Sequence, residues 1–283
     1  MAAAKDSTMA AQSTLRVTDV TGEPLKFLTP ICGYEKEPLV SLEKAVEKLV
    51  PILPTVQSHA YCAKQQCQNP ADGLSSDESA AIMLYTMTWE PLDECLYVVL
   101  NKILRSSNRE QELEPWYLYL RLFLNALFRL PPLRTTVHRG VKLNMSEKYN
   151  KGQTIVWWGF SSCTRSVEVL QSKTFLGKTG ARTLFYIQCE TARDIRKHSY
   201  FAHEDELLLL AATQLKVTGC LDQGDLCIVH LEEKPAPYPL LQPVPIVLKT
   251  QEIPSSSKKV GNQRVLSYGI SLKLDERDNN YFE

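Results

Sequence analysis

The sequence predicts an α+β protein, an N-terminal helical subdomain followed by a mixed β-core, and three observations carry that expectation. Apolar residues recur at helical spacing through about the first 130 residues. Pro131-Pro132 then closes the pattern, because proline lacks an amide hydrogen and clashes with the preceding helical turn. Beyond it come short apolar runs, rich in β-branched residues and separated by Gly, Lys and Thr turns. No repeat is present at solenoid or propeller periods.

In chain order, residues 1–14 are small and polar and are expected to be disordered. Ser41 is an N-cap for a helix over 41–51, where Leu42, Ala45, Val46, Leu49 and Val50 share a face. Ser75-Ser76-Asp77-Glu78 introduces Ala80-Ala81-Ile82-Met83-Leu84-Tyr85, another helix start. Helical runs continue over 92–104 and 116–128, so 15–132 is the helical subdomain. Strands are expected at 135–143, 154–161, 182–188, 206–210, 214–218 and 225–231, with a short helix or loop within 167–176; together 133–233 form the β-core. From 234 to 283 the composition turns to Pro, Ser and Lys, with five prolines between Pro235 and Pro245. This stretch reads as an extended arm packing on the core, with one further strand at 265–274.

A hydrophobic content of 44% with 23% charged residues is an ordinary globular balance for a chain of 283 residues. The formal net charge is zero, which gives no electrostatic footprint for nucleic acid. The longest basic cluster, Arg193-Asp194-Ile195-Arg196-Lys197, is interrupted and reads as a solvated loop or strand end. Residues 1–8 lack the apolar core of a secretory signal, and no apolar run is long enough to span a bilayer. A cytoplasmic protein is expected, although a secreted mature fragment fits the same residues. The eight cysteines lack paired Cys-x-x-Cys spacing and are expected to be reduced. His59, Cys62 and Cys67 have no second ligand pair nearby, so no metal is expected.

Three fragments carry the chemistry. Arg139 stands in the strand-like run Val137-His138-Arg139-Gly140-Val141, where a desolvated guanidinium needs an anion. Its planar fork suits a pyrophosphate, and Gly140 permits close approach to the backbone. The plainer reading is an edge-strand arginine paired with an acid. Trp157-Trp158-Gly159-Phe160-Ser161-Ser162-Cys163-Thr164 is an aromatic strand ending in hydroxyls, whose serines would by themselves be a turn or cap pair. Strand alternation should bury only one of the two tryptophans. Ser162 has no Gly-x-Ser-x-Gly elbow and reads as a positioning residue for Glu206 rather than a nucleophile. His203-Glu204-Asp205-Glu206 opens a buried apolar strand, and in extended chain Glu204 and Glu206 project from one face.

Arginine, serine and Glu-x-Glu in that order resemble the R-S-E class of mono-ADP-ribosyltransferases, the family of the vertebrate ecto-enzymes and several bacterial toxins that modify arginine. The resemblance covers about 135–230. It implies an ADP-ribosyltransferase-type β-core with a central NAD cleft and NAD+ as co-substrate. Arg139 matches the family's phosphate contact, and Gly140 the backbone contact to the nicotinamide amide. Aligned on Phe160, Ser162-Cys163-Thr164 stands for the family's Ser-Thr-Ser, with threonine in the last place. Glu206 falls at the catalytic glutamate, Glu204 at the acceptor-side one, and Phe175 where relatives carry an aromatic over nicotinamide. Tyr200 and Phe201 fall in the acceptor-recognition turn. The implied partner is a protein with an accessible arginine.

The residues suit that chemistry. Cleaving a nicotinamide–ribose bond develops positive charge on the ribose, and a preorganised carboxylate stabilises such charge by roughly 3–4 kcal/mol. Glu206 takes this role. An arginine acceptor is protonated in water, so Glu204 must bind the guanidinium and assist its proton loss. The competing readings are an NAD+ glycohydrolase, which needs no Glu204, and an inactive NAD-binding or scaffold module.

Overall fold

The computed structural model describes residues 22–24, 27–171, 176–201 and 205–246, all within the first of two compact units, Met1–Leu248. The expected disordered segment 1–14 and the strand at 265–274 lie outside the described residues.

The chain builds helices first. Ser41 Oγ accepts from Lys44 N at 3.4 Å to start α1, Leu42–Ala45. The helix expected over 41–51 is shorter than that, because Val46 N is shared between the carbonyls of Leu42 and Lys44 and the chain tightens into a 3₁₀ turn at Glu47–Leu49. Helix α2, Val56–Gln66, is absent from the sequence reading: it buries only Val56, Ala60 and Ala63, a stripe too narrow to raise a strong periodic signal. Helix α3, Ser76–Thr86, begins with a capping box in which Ser75 Oγ accepts from Glu78 N at 3.3 Å and Glu78 Oε2 accepts from Ser75 N at 2.6 Å. Cys95, extended in backbone, splits the run expected over 92–104 into a 3₁₀ turn and α4, Leu96–Leu104. Short α5, Arg109–Glu112, leads to α6, Tyr117–Arg129, which stops ahead of Pro131.

Strand β1, Pro132–Val141, starts at the second proline. The run expected over 154–161 is two strands, β2 Thr154–Trp157 and β3 Ser161–Thr164, separated at Gly159, where a Cβ would come within 2.4 Å of Arg105. Helix α7, Val167–Leu170, is followed by β4 Arg182–Asp194, β5 Glu206–Leu209, β6 Thr213–Gln223 and β7 Leu226–Glu233. Among the described residues the strands pair in the order β1-β3-β5-β4-β7-β6-β2, and β1 also pairs with β4, so β1, β3, β5 and β4 close a circuit. All these contacts are antiparallel except β4 with β7.

Two cores result. One lies within the strands, around Val137, Phe185, Ile187, Leu207 and Val229. The other holds the helices and reaches the sheet through Trp158, Phe160, Ile195 and Leu208. That arrangement corrects the expectation for the tryptophans: both are 1% exposed. Trp157 faces the strand core and donates to Tyr149 OH at 3.2 Å, while Trp158 faces the helices with Arg109 over its ring at 4.1 Å. A sheet covered on both sides has no solvent face for alternation to fill.

The first residues of the Pro-rich stretch lie against the helical part. Ile31 N donates to Leu240 O at 2.7 Å, Gln242 N to Ile31 O at 2.9 Å, and Arg121 Nη2 to Pro245 O at 2.8 Å. The buried Tyr34 hydroxyl donates to Gln242 O. Among the described residues no helix is long and apolar enough to cross a membrane.

Candidate active site

Strands β1, β3 and β5 lie side by side, with Thr164 paired to His138 on one flank and to Glu206 on the other. This register brings Arg139, Ser162 and Glu206 together from positions far apart in sequence. Arg139 is 3% exposed, and its Nη1 donates to Ser162 O at 2.6 Å. Ser162 Oγ donates to Glu206 Oε1 at 2.5 Å. The other carboxylate oxygen, Oε2, accepts from Ser199 Oγ at 2.9 Å. Glu206 is itself 2% exposed, so a buried carboxylate has a hydroxyl donor on each oxygen. Such fixed donors hold the carboxyl group in one orientation before any substrate arrives.

Ser199 escaped the sequence reading as a site residue. Its one local signal was a serine ahead of the aromatic pair Tyr200-Phe201; its link to Glu206 exists only in the folded chain. The turn is anchored to α3, since Tyr200 N donates to Thr86 Oγ1 at 2.8 Å, and Phe201 N donates to Ser199 Oγ at 3.1 Å. Just before it, fully buried His198 sets Nδ1 at 2.9 Å from Ser79 Oγ and Nε2 at 3.3 Å from Asp72 Oδ2. Tyr200 is exposed and meets Phe201 edge to face at 5.1 Å. Glu204 and Phe175 lie outside the described residues. At Gly140 the space of a Cβ is taken by Leu176, which would stand 2.8 Å away, so glycine is required there by a side chain of this chain.

The basic cluster is not solvated as a whole. Arg193 is 6% exposed, donates from Nε to Leu127 O at 2.9 Å and lies 5.9 Å from the Phe128 ring; Ile195 is fully buried. Desolvation lowers the Arg193 pKa from its ordinary value. The helical layer covers this end of β4, a contact invisible to local composition. Arg196 pairs with Asp194 and Asp205, and Lys197 with Asp72. The possible metal ligands diverge: His59 stacks on Trp89 at 4.1 Å, Cys62 is exposed and Cys67 is buried beside Ser79.

The family model for NAD:arginine ADP-ribosyltransferases matches residues 40–236, more than half of the chain. The chain belongs to that family. Its chemistry is NAD+-dependent transfer of ADP-ribose, with NAD+ as co-substrate. The transferase is similar in structure to the type III effector XopAI of Xanthomonas axonopodis pv. citri, with a TM-score of 0.53 at 15% identity, over 72% of this chain and 92% of that one. The eucaryotic mono-ADP-ribosyltransferase ART2.2 has a TM-score of 0.49 at 19% identity, over 75% of this chain and 98% of that one. Exoenzyme S from Pseudomonas aeruginosa, solved with human 14-3-3 protein beta and carba-NAD, has 0.46 at 18% identity, over 68% and 88%. At such identities the likeness to XopAI is one of fold. None of the curated proteins matches the transferase.

Proposed function

We propose that the transferase moves a single ADP-ribose from NAD+ to arginine side chains of a target protein, releasing nicotinamide. The observation that carries this reading is the buried Glu206 carboxylate, held at both oxygens by Ser162 and Ser199. Glu206 stabilises the positive charge that develops on the ribose, and the two hydroxyls keep it aimed, so little reorganisation is needed at the moment of reaction. Arg139, fixed through Ser162 O, is the guanidinium that meets phosphate, and the Gly140 backbone serves the nicotinamide amide. Phe175 supplies the apolar wall for nicotinamide. Glu204, two residues before Glu206, binds the acceptor guanidinium and takes its proton as it attacks. Exposed Tyr200 and half-buried Phe201 flank that acceptor.

The test is to incubate the protein with labelled NAD+ and either agmatine or a mixed protein acceptor, mapping modified residues by mass spectrometry. Label on arginine is expected. Glu204→Gln should eliminate that label yet retain much of the nicotinamide release, because Glu206 still stabilises the ribosyl charge. Equal loss of both activities would remove Glu204 from the acceptor role, and a wild type that releases nicotinamide without modifying arginine would place the chain among NAD+ glycohydrolases.

A further inference from the structure

Asp205, the middle residue of Glu-x-Glu, has a role that the chemistry of its neighbours leaves unassigned. Its Oδ1 accepts from Arg196 Nη1 at 2.8 Å and from Arg165 Nη2 at 3.2 Å. Arg196 is also gripped by Asp194, with Nη2 to Oδ2 at 2.5 Å and Nε to Oδ1 at 2.9 Å. Arg165 follows the last residue of β3, and Asp194 ends β4, so one carboxylate joins the two strands that flank β5.

These ion pairs contribute little to stability. The side chains of Arg165, Arg196 and Asp205 are 39%, 38% and 27% exposed, and pairs so open to solvent are screened by it. The backbone shows a further commitment. Asp205 has φ of 47°, the left-handed region that asparagine, aspartate and glycine tolerate best. A weakly stabilising pair of ion bonds on a disfavoured backbone calls for an explanation beyond the fold.

Charge supplies it. Arg165 and Arg196 place two cations beside the turn that leads into Glu206, while Asp194 and Asp205 bring two anions. The four cancel. Asp194 is held below the ordinary carboxylate range chiefly by its hydrogen bonds from Arg196, so it stays ionised across the neutral range. Without the Asp205 charge the other three of these groups would carry one net positive charge, which disfavours a protonated guanidinium approaching the catalytic carboxylate. A neutral or anionic acceptor would not be repelled.

We infer that Asp205 is a specificity-determining residue: by neutralising Arg165 and Arg196 at the mouth of the site, it admits a cationic acceptor. The inference rests on the proposed arginine transfer. Asp205 acts through the arginines and not on the reacting atoms.

The experiment compares Asp205→Asn with Arg165→Gln and Arg196→Gln, using agmatine as acceptor and reading KM and kcat separately. Asparagine tolerates the same backbone, so Asp205→Asn removes charge and keeps shape. Its agmatine KM should rise about three- to tenfold at low ionic strength, the effect of one unit charge at close range in a solvated site, with a smaller change in kcat. Each arginine variant should move KM the other way. All of these changes should shrink as salt shortens the screening length toward about 8 Å at physiological strength. A purely structural role for Asp205 would instead lower kcat in every variant without opposite signs in KM. KM shifts of the same sign, or none, would overturn the inference while leaving arginine transfer intact. A wild type that releases nicotinamide but never modifies agmatine would overturn both. Should Asp205→Asn fail to fold, the arginine variants still decide: a fall in agmatine KM supports the screen, and no change or a rise overturns it.

Discussion

Asp205 and Glu206 are adjacent and carry the same chemical group, but they sit in opposite surroundings. Glu206 is 2% exposed and meets neutral hydroxyls from Ser162 and Ser199. Asp205 is partly open and meets two guanidinium groups. A hydroxyl fixes a carboxylate in space without cancelling its charge, which is what stabilising a developing cation requires. An arginine cancels the charge, which is what a rim facing a cationic acceptor requires. The two proposed tasks fall within one peptide unit, because β5 begins at Glu206, whose side chain is buried, while Asp205 before it has a left-handed backbone and is partly exposed.

The largest break in this comparison is to make Glu206 neutral as well. Glu206→Gln keeps volume and can still accept one of the two hydroxyls at its amide oxygen, but its NH2 only donates and the neutral group cannot oppose positive charge on the ribose. Both arginine modification and nicotinamide release should fall by roughly 10²–10³-fold. Near-normal turnover by a folded variant would take Glu206 out of the reaction. Thermal unfolding should change little by comparison, and that contrast between rate and stability is the measurement to make.

Arg139→Lys tests the other end of the Ser162 bridge. Lysine keeps the charge but loses the planar fork that holds Ser162 O and suits a phosphate. NAD+ affinity should weaken by about tenfold, the equivalent of about 1.4 kcal/mol, as read by titration calorimetry. An unchanged affinity would separate Arg139 from the phosphates and leave it as a strut of the sheet.

How far these roles could be read from sequence follows from where each contact originates. Arg139, Ser162 and Glu206 could be singled out through their order along the chain, since each alone has a plainer reading: an edge-strand arginine, a turn or cap serine, an acid in a turn before a strand. Ser199 was not, because its value lies in one oxygen of Glu206 and in a turn tied to Thr86 of α3. The Arg193 cluster looked solvated for a related reason: Leu127 and Phe128 arrive from another layer. Helices with strong caps, such as α3 behind Ser75, were legible, whereas α2 was hidden by the small residues Ala60 and Ala63 that let it pack closely. The general lesson is physical: period and caps report one element at a time, while covering of a surface reports two.

Ser199→Ala sharpens the division between aiming and neutralising. Removing the donor to Oε2 leaves Ser162 on Oε1, so the carboxylate keeps its charge but gains freedom. A hydrogen bond to a charged group is worth about 1.5–3 kcal/mol, of which only the part realised in the transition state appears in the rate. A fall in kcat of about tenfold with little change in agmatine KM is expected. The Asp205→Asn signature is the reverse, a change in KM above all, and a shared signature for the two variants would erase the distinction between them.

The smallest effect concerns the support behind Ser199. His198 is buried and its pKa is lowered chiefly by desolvation, opposed by Asp72, with Lys197 lowering it further and Asp194 raising it. Its neutral form can donate from Nε2 to Asp72 and accept at Nδ1 from Ser79. Because the folded pKa lies below the ordinary 6.5, the unfolded chain takes up the proton first. Stability from this group is therefore fully present above pH 6.5 and is lost as pH falls from there through the folded value. His138, whose pKa is lowered by burial, acts in the same direction, while Asp72 and Asp194, lowered from 3.8, release their contribution only in stronger acid. His198→Asn should cost about 1–2 kcal/mol at neutral pH through its two lost contacts and flatten the decline of Tm just below pH 6.5. His138 should leave a residual slope. An unaltered slope in the variant would mean that His198 does not titrate on unfolding, and the link from α3 through His198 to Ser199 would then be one of packing alone.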